Sequence, residues 1–137
     1  MGRVLGIDYG SKRIGLALSD PTNTLASPLP TIQNDAKAIE KIVDIISKNS
    51  VSKIVIGYPL NMNGTKSEIC NKVDMFVSKL SRKTNCEIIK RDERLTSYIA
   101  QQQILESVKS KKKRQDKSLV DQFSARIILQ EYLDEIK

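Results

Sequence analysis

The amino-acid sequence predicts an α/β protein with a mixed five-stranded sheet flanked by helices. Its 137 residues suit one compact domain, to which we assign residues 1–137. Apolar residues make up 39% of the chain and aromatic residues only 4%, so the core must consist mainly of Ile, Val and Leu. The apolar spacing changes from a strand period to a helix period after residue 34, and helices alternate with strands from there.

The first three predicted elements are strands that form an antiparallel wing of the sheet. Arg3–Asp8 and Arg13–Ser19 are apolar runs joined by the short turn Gly10–Lys12, and so tight a connection favours a hairpin. Leu25–Ile32 is a third extended segment. Its two prolines lack backbone donors, so we expect this strand at an edge of the sheet.

The rest of the chain predicts four helices and two further strands, Lys53–Gly57 and Glu87–Arg91. Because helices lead into these two strands, we expect them to be parallel to the first strand and buried with it. The helices are predicted over Asp35–Lys48 with a cap at Asn34 or Asp35, from a Thr65–Glu68 capping box through Leu80, over Leu95–Val108 and over Ser118–Glu135.

The charge balance of the chain favours a polyanionic partner. Lys and Arg number 23 against 16 Asp and Glu, a formal charge of +7. Such a balance is typical of nucleic-acid-binding proteins, although a basic protein without that function has the same composition. The segment Lys109–Lys117 is the most basic stretch, and it is either a solvated charge run or a loop that grips phosphate.

Several classes of chemistry are excluded by composition. The chain contains no histidine, which removes Ser/His and Cys/His nucleophiles and His-ligated metals. Cys70 and Cys86 show no CxxC spacing, so we expect two free thiols rather than a zinc site. No segment resembles a signal peptide or a membrane span, and we therefore expect a cytoplasmic protein without a membrane partner.

Three carboxylates stand out by their positions. Asp8 ends an apolar strand, and Asp121 shares a helix face with Ala125, Ile128 and Tyr132, a face that should pack on the sheet. Each has a simpler explanation, since Asp8 could cap a turn and Asp121 could favour a helix start.

The third carboxylate follows the fifth strand in a charged loop. Either Asp92 or Glu93 could serve, and strand alternation places the two on opposite faces without saying which faces a site. An acid in such a loop is also a common member of a solvated ion pair. Acids at the ends of parallel strands can converge at one sheet edge, where they would bind Mg²⁺ or Mn²⁺ and support phosphodiester cleavage.

Four blocks of the sequence, in order, resemble the YqgF family. They are residues 6–20 (GIDYGSKRIGLALSD), 55–65 (VIGYPLNMNGT), 92–97 (DERLTS) and 120–130 (VDQFSARIILQ). Members of this family are relatives of the RuvC-type Holliday-junction resolvases. The resemblance implies a ribonuclease-H-like fold and a nuclease that trims the 5′ end of precursor 16S ribosomal RNA.

The resemblance also implies a site. It selects Glu93 over Asp92 and makes Asp8, Glu93 and Asp121 both catalytic residues and metal ligands. One departure from the wider superfamily concerns the fourth strand, because many relatives have an acid at its end, whereas Val55–Pro59 contains none. The candidate nucleic-acid-binding residues are Lys12, Arg13, Asn61, Asn63, Arg94, Lys111, Lys112, Lys113 and Arg114.

Other functions share some of these features. A non-catalytic RNA-binding assembly factor for the ribosome would show the same charge. A DNA-junction resolvase would be expected to act as a two-fold dimer, whereas we expect a monomer or a weak homodimer. The G-I-D-x-G-S segment also resembles the phosphate loop of actin-like ATPases, but those enzymes need two such domains.

Overall fold

The computed structural model describes residues 2–93 and 117–136. A five-stranded sheet with the strand order β3-β2-β1-β4-β5 forms its centre. The elements are β1 (Arg3–Tyr9), β2 (Arg13–Ser19), β3 (Ala26–Gln33), α1 (Ala38–Lys48), β4 (Val51–Tyr58), α2 (Glu68–Ser81), β5 (Glu87–Asp92) and α3 (Lys117–Glu135). The predicted helix over Leu95–Val108 and most of the basic segment lie outside the described residues.

The pairing of the strands confirms the predicted mixed sheet. β1 pairs in parallel with β4, and β4 with β5, whereas β1–β2 and β2–β3 are antiparallel. β3 lies at one edge, as its prolines predicted, and Pro28 is paired with Ala17 of β2. The expectation that β5 is buried was wrong: β5 forms the other edge, and its residues are exposed or only partly buried.

One face of the sheet packs against α1 and α2. This layer is aliphatic, and its fully buried side chains include Leu5, Ile7, Ile14, Leu16, Ile54 and Ile56 from the strands and Ile42, Val73 and Leu80 from the helices. Burying one such side chain stabilises the fold by about 1.5–3 kcal/mol, so this layer is a main source of stability.

The opposite face of the sheet packs against α3. Ala125, Ile128 and Tyr132 are buried against this face, in a cluster that includes Val4 and Val55, as the helix-face pattern predicted. The helix comes very close to β1, because a Cβ atom built on Gly6 would lie 2.8 Å from Cβ of Leu129. Gly6 therefore sets how closely α3 can approach the sheet.

The helix starts differ from those predicted. α1 begins at Ala38, so Lys37 rather than Asn34 or Asp35 occupies the N-cap position. Asp35 lies in the preceding loop, where its Oδ1 accepts a hydrogen bond from the Lys37 N–H. The predicted Thr65–Glu68 capping box is wrong, because Ser67 precedes α2. The Ser67 hydroxyl donates to the Pro59 carbonyl instead of capping the helix. Local hydrogen bonds within the preceding loops outweigh the capping motifs here.

Two smaller predictions concern the cysteines and the membrane. Cys70 is buried and Cys86 partly buried, and both are free thiols, as predicted. Among the described residues no helix combines the length and apolar character needed to cross a bilayer.

Candidate active site

Asp8, Gly57 and Glu93 lie together at the end of the sheet where the three parallel strands have their carboxyl ends. Ile7 of β1 is in register with Ile56 of β4, so the next residues, Asp8 and Gly57, lie at the same level. The Glu93 N–H donates a hydrogen bond of 3.2 Å to the Tyr58 carbonyl, which extends the β4–β5 pairing past the last residue of β5.

These residues occupy the α3 face of the sheet. Val4 and Val55 pack against α3, and alternation along β1 and β4 places Asp8 and Gly57 on that face. Arg91 of β5 points the same way, since its guanidinium reaches the acids of α3, and Glu93 lies two residues further along. The candidate site therefore lies beside α3 rather than beside α1 and α2.

Gly57 provides the space that the Glu93 carboxyl occupies. A Cβ atom built on Gly57 would lie 2.5 Å from Oε2 and 2.7 Å from Oε1 of Glu93, closer than real Cβ atoms approach other atoms. This contact gives a structural reason for the missing acid at the end of the fourth strand. The acid of the neighbouring strand reaches across and lies over the position where a side chain on β4 would be.

Asp8 and Glu93 lie in direct contact, and the contact changes the acidity of Glu93. Burial, followed by the Asp8 charge and a hydrogen bond between the two side chains, raises the pKa of Glu93 to about 10. Two adjacent carboxyls cannot both ionise without a neighbouring positive charge, so the pair retains a proton at neutral pH. Asp92, by contrast, is exposed.

Asp121 lies on α3, one helical turn before Ala125. The structure describes the backbone of Asp121 but not its side chain. In the described parts of the chain no group of three acids, cysteines or histidines is close enough to hold a metal ion. Two of the three predicted acids are thus placed together, and the contribution of the third stays a prediction.

Arg91 is a residue of this region that the sequence analysis missed. Its Nη1 lies 2.6 Å from Oε2 of Glu135, and its Nη2 lies 3.4 Å from Oε2 of Glu131. These ion pairs attach α3, which carries Asp121, to β5, which leads into Glu93. The spacing of four residues between Glu131 and Glu135 was the available signal, since it places both acids on one side of a helix.

Among the predicted nucleic-acid-binding residues, four fall in the described parts of the chain. Lys12 is exposed and Arg13 partly buried, both at the turn that follows Asp8. Asn61 and Asn63 are exposed in the loop that follows β4. All four lie at the same sheet edge as Asp8 and Glu93. Arg94, Lys111, Lys112, Lys113 and Arg114 are outside the described residues.

The two asparagines also hold their own loop together. Asn63 Oδ1 accepts hydrogen bonds from the backbone N–H and the hydroxyl of Thr65. Asn61 Nδ2 donates to the Thr65 hydroxyl and to the Lys66 carbonyl. A structural role for both side chains therefore accompanies any contact with a ligand.

Comparison with known proteins identifies the family. A family model described as "RuvX: Holliday junction resolvase" matches residues 2–135. The chain belongs to the RuvX family. This confirms the YqgF resemblance drawn from the four sequence blocks.

Relatives of the RuvX chain cover nearly its whole length. A protein of Ruminiclostridium cellulolyticum, named "Putative pre-16S rRNA nuclease", is 46% identical over 138 residues, with 98% of this chain and 95% of the relative covered. A relative of the same name from a Sulfurihydrogenibium species is 44% identical and covers 99% of this chain and 92% of its own.

Solved structures confirm the fold class of this RuvX chain. T. thermophilus RuvC in complex with Holliday junction substrate aligns with a TM-score of 0.60 at 11% identity, over 99% of this chain and 96% of RuvC. The Fowlpox virus resolvase, solved with substrate Holliday junction DNA, aligns with a TM-score of 0.56 at 14% identity, over 98% of each chain. At these identities the likeness shows the fold, which is the ribonuclease-H-like one that the sequence predicted.

Proposed function

We propose that this protein is a metal-dependent nuclease that hydrolyses phosphodiester bonds of RNA. The observation that carries this proposal is the contact between Asp8 and Glu93 at the carboxyl edge of the parallel strands, with the pKa of Glu93 raised to about 10. A partly buried acid pair with so perturbed an acidity is costly for a purely structural role, and such pairs cluster at functional sites.

The donor set fits a hard divalent cation. Carboxylate oxygens are ligands that Mg²⁺ and Mn²⁺ prefer, and a cation between Asp8 and Glu93 would compensate the repulsion that now keeps a proton on the pair. We propose that Asp8, Glu93 and Asp121 hold the cation and are the catalytic residues. When bound, it would stabilise negative charge on the phosphate and lower the pKa of a water nucleophile.

The residues of the chain prepare this site before any ligand arrives. Gly57 leaves the space into which the Glu93 carboxyl fits. Arg91 fixes α3 against β5, which limits how far Asp121 can move relative to Glu93. Fixed ligands reduce the reorganisation needed when substrate binds, which is a large part of catalysis at phosphodiester bonds.

We infer that the substrate is the 5′ end of precursor 16S ribosomal RNA. The names of the full-length relatives at 46% and 44% identity support this substrate. The junction-bound structures, at 11% and 14% identity, support only the fold. We propose that the chain acts as one nuclease domain, as a monomer or weak homodimer, in the cytoplasm, where ribosomal precursors are processed.

Contacts with the RNA backbone are assigned to the basic and amide residues that the sequence predicts for this role. In this proposal they are Lys12, Arg13, Asn61, Asn63, Arg94, Lys111, Lys112, Lys113 and Arg114. The net charge of +7 supports electrostatic attraction to such a substrate.

The proposal is tested by incubating the purified chain with a 5′-extended 16S precursor fragment and Mg²⁺ or Mn²⁺. We expect cleavage that EDTA and Asp8→Asn both abolish, while the variant keeps its fold by circular dichroism. Binding of the RNA without cleavage in either metal would contradict the nuclease and favour an assembly factor. Preferential cleavage of a four-way DNA junction would favour a resolvase.

A further inference from the structure

A concavity opens on the face of the sheet opposite the acid pair. It is a cavity of about 260 Å³ between the start of α1 and the middle of α2. Tyr9, Ile39 and Phe76 form its apolar part. The rings of Tyr9 and Phe76 pack at a centroid distance of 5.1 Å and an interplanar angle of 51°. Tyr9 stays partly exposed, so aromatic surface is available inside the cavity.

One rim of the cavity is a basic stripe on α2. Lys72, Met75 and Lys79 lie along one side of the helix, at offsets of three and four residues, and all three are exposed. In the described parts of the chain neither lysine makes an ion pair, whereas Lys66 and Lys90 are both bound to Asp74. The stripe therefore offers two cations that no described acid of the protein neutralises.

The composition of the rim indicates what could bind. Met75 is 62% exposed, an unusual position for so large an apolar side chain. The opposite rim carries Asp35, whose Oδ1 accepts a hydrogen bond from the Lys37 N–H. Two lysines against one aspartate leave a net positive rim around an aromatic floor, a combination suited to a base joined to phosphates.

The position of the cavity connects it to the candidate active site. Tyr9 directly follows Asp8 in β1, and alternation places the two side chains on opposite faces of the sheet. Asn34, which lines the cavity, donates from Nδ2 to the carbonyl of Gly10 in the turn after β1. The turn after β1 therefore lies between the acid pair on one face and the cavity on the other.

We propose that this cavity, formed by Tyr9, Ile39, Phe76 and the α2 stripe of Lys72, Met75 and Lys79, binds an unstacked base of a single-stranded RNA whose cleaved phosphate lies at the acid pair, on the other side of the turn after β1. The base packs on the aromatic floor and Met75, and the two lysines bind the flanking phosphates. This inference rests on the proposed nuclease function. It adds a base-binding subsite, on the face of the sheet opposite the acids.

The lysines are tested first. RNA binding to Lys72→Ala/Lys79→Ala is compared with binding to Lys48→Ala/Lys83→Ala, which removes the same charge from two exposed lysines, one at the end of α1 and one just past the end of α2. We expect the pocket variant to bind a short oligoadenylate about tenfold more weakly, and the slope of log K against log salt to fall by about 1.4. Equal losses in the two variants would overturn the proposal.

The base is tested with a fluorescent reporter, because the chain contains no tryptophan. Met75→Trp is placed in an Asp8→Asn background so that the oligoadenylate is not cut. We expect the indole emission to be quenched as RNA saturates the protein. The matched control is Leu25→Trp, because Leu25 is 63% exposed but lies at the other end of the strands, just before β3. The emission of this variant should not change.

The two proposals can fail separately. Cleavage by the unmodified chain without quenching of the Met75→Trp indole would overturn the base-binding pocket and leave the nuclease intact. Quenching without any cleavage would support the pocket and contradict the nuclease. Quenching by a polyglutamate peptide as strong as by RNA would overturn the pocket as an RNA site, because an acidic protein partner would then fit equally well.

Discussion

Carboxylates lie in opposite environments at the two ends of the sheet, that is, at the two ends of its strands. At the end where β2 finishes, Asp20 accepts hydrogen bonds from the Thr22 hydroxyl and from the backbone N–H groups of Leu25 and Thr24. These donors hold the pKa of Asp20 well below its usual range. At the opposite end, where β1 and β4 finish, burial and the neighbouring Asp8 raise the pKa of Glu93 to about 10.

The difference separates an acid that is satisfied within its own turn from one that we propose to be functional. Asp20 is satisfied within its own turn, and its charge stabilises that turn. Glu93 is placed beside a second acid, an arrangement that by itself disfavours the ionised state. We propose that this end of the sheet is shaped for a positively charged ligand. The following predictions test this contrast, from the largest expected effect to the smallest.

The largest effect is expected from the acids themselves. Asp8→Asn should reduce metal-dependent RNA cleavage by about 10³-fold or more, because it removes a proposed ligand of the cation that stabilises the transition state. Asp20→Asn should leave cleavage within about twofold while lowering the melting temperature. Single-turnover rates and thermal melts of both variants check this, and similar rate losses in the two would remove the contrast.

A smaller effect is expected from the space beneath Glu93. Gly57→Ala should lower cleavage by about 10–100-fold, since the added methyl group must displace the Glu93 carboxyl. In a Glu93→Gln background the same substitution should cause little further loss, because coupled residues are not additive. Cleavage rates of the four proteins in this cycle are the measurement, and full additivity would mean that the contact is irrelevant to activity.

The attachment of α3 should have a moderate effect. Arg91→Ala removes the ion pairs with Glu131 and Glu135, so we expect about a tenfold weaker activation by Mn²⁺, which added cation partly restores. Lys48→Ala breaks only the exposed pair with Asp44 and should change nothing measurable. Metal titrations of cleavage distinguish the two, and a loss of stability in Arg91→Ala without a shift in metal dependence would argue for a purely structural role.

The last prediction concerns stability rather than cleavage rate, as a difference in pH dependence between the two ends of the sheet. In EDTA, the raised pKa of Glu93 makes the fold lose stability as pH rises above about 4.5, so Glu93→Gln should be more stable than the unmodified chain at pH 7 and equal to it near pH 4. The lowered pKa of Asp20 has the opposite sign: its stabilisation is present above pH 3.8 and is lost at lower pH. Denaturant unfolding across pH 3–8 should show Asp20→Asn less stable at pH 7, with the deficit narrowing in acid.

Most of the fold could be predicted from local patterns. Prolines at the edge strand, the tight turn after β1 and the helical stripe of Ala125, Ile128 and Tyr132 each report a local physical constraint, and the structure bears them out. The helix starts could not be read in this way. Asp35 and Thr65 have the right side chains for caps, but hydrogen bonds inside their own loops hold them away from the helix ends.

The site was predictable in part. An acid at the end of an apolar strand pointed to Asp8, whereas choosing Glu93 over Asp92 needed the family resemblance. The role of Gly57 depends on a side chain that crosses from the neighbouring strand, and that of Arg91 on two acids 40 and 44 residues away. Such contacts are long-range: the spacing of Glu131 and Glu135 indicates that they share a helix face, but no periodicity along the chain reports which residue they bind.

The most direct test of the account is a calorimetric titration of Mn²⁺ into the metal-free protein at neutral pH. We predict saturable binding in the unmodified chain and in Asp20→Asn, and an affinity at least about tenfold weaker in Glu93→Gln and in Asp8→Asn. Equal Mn²⁺ affinity in all four proteins would show that the adjacent carboxyls are not the cation site, and it would contradict the central claim.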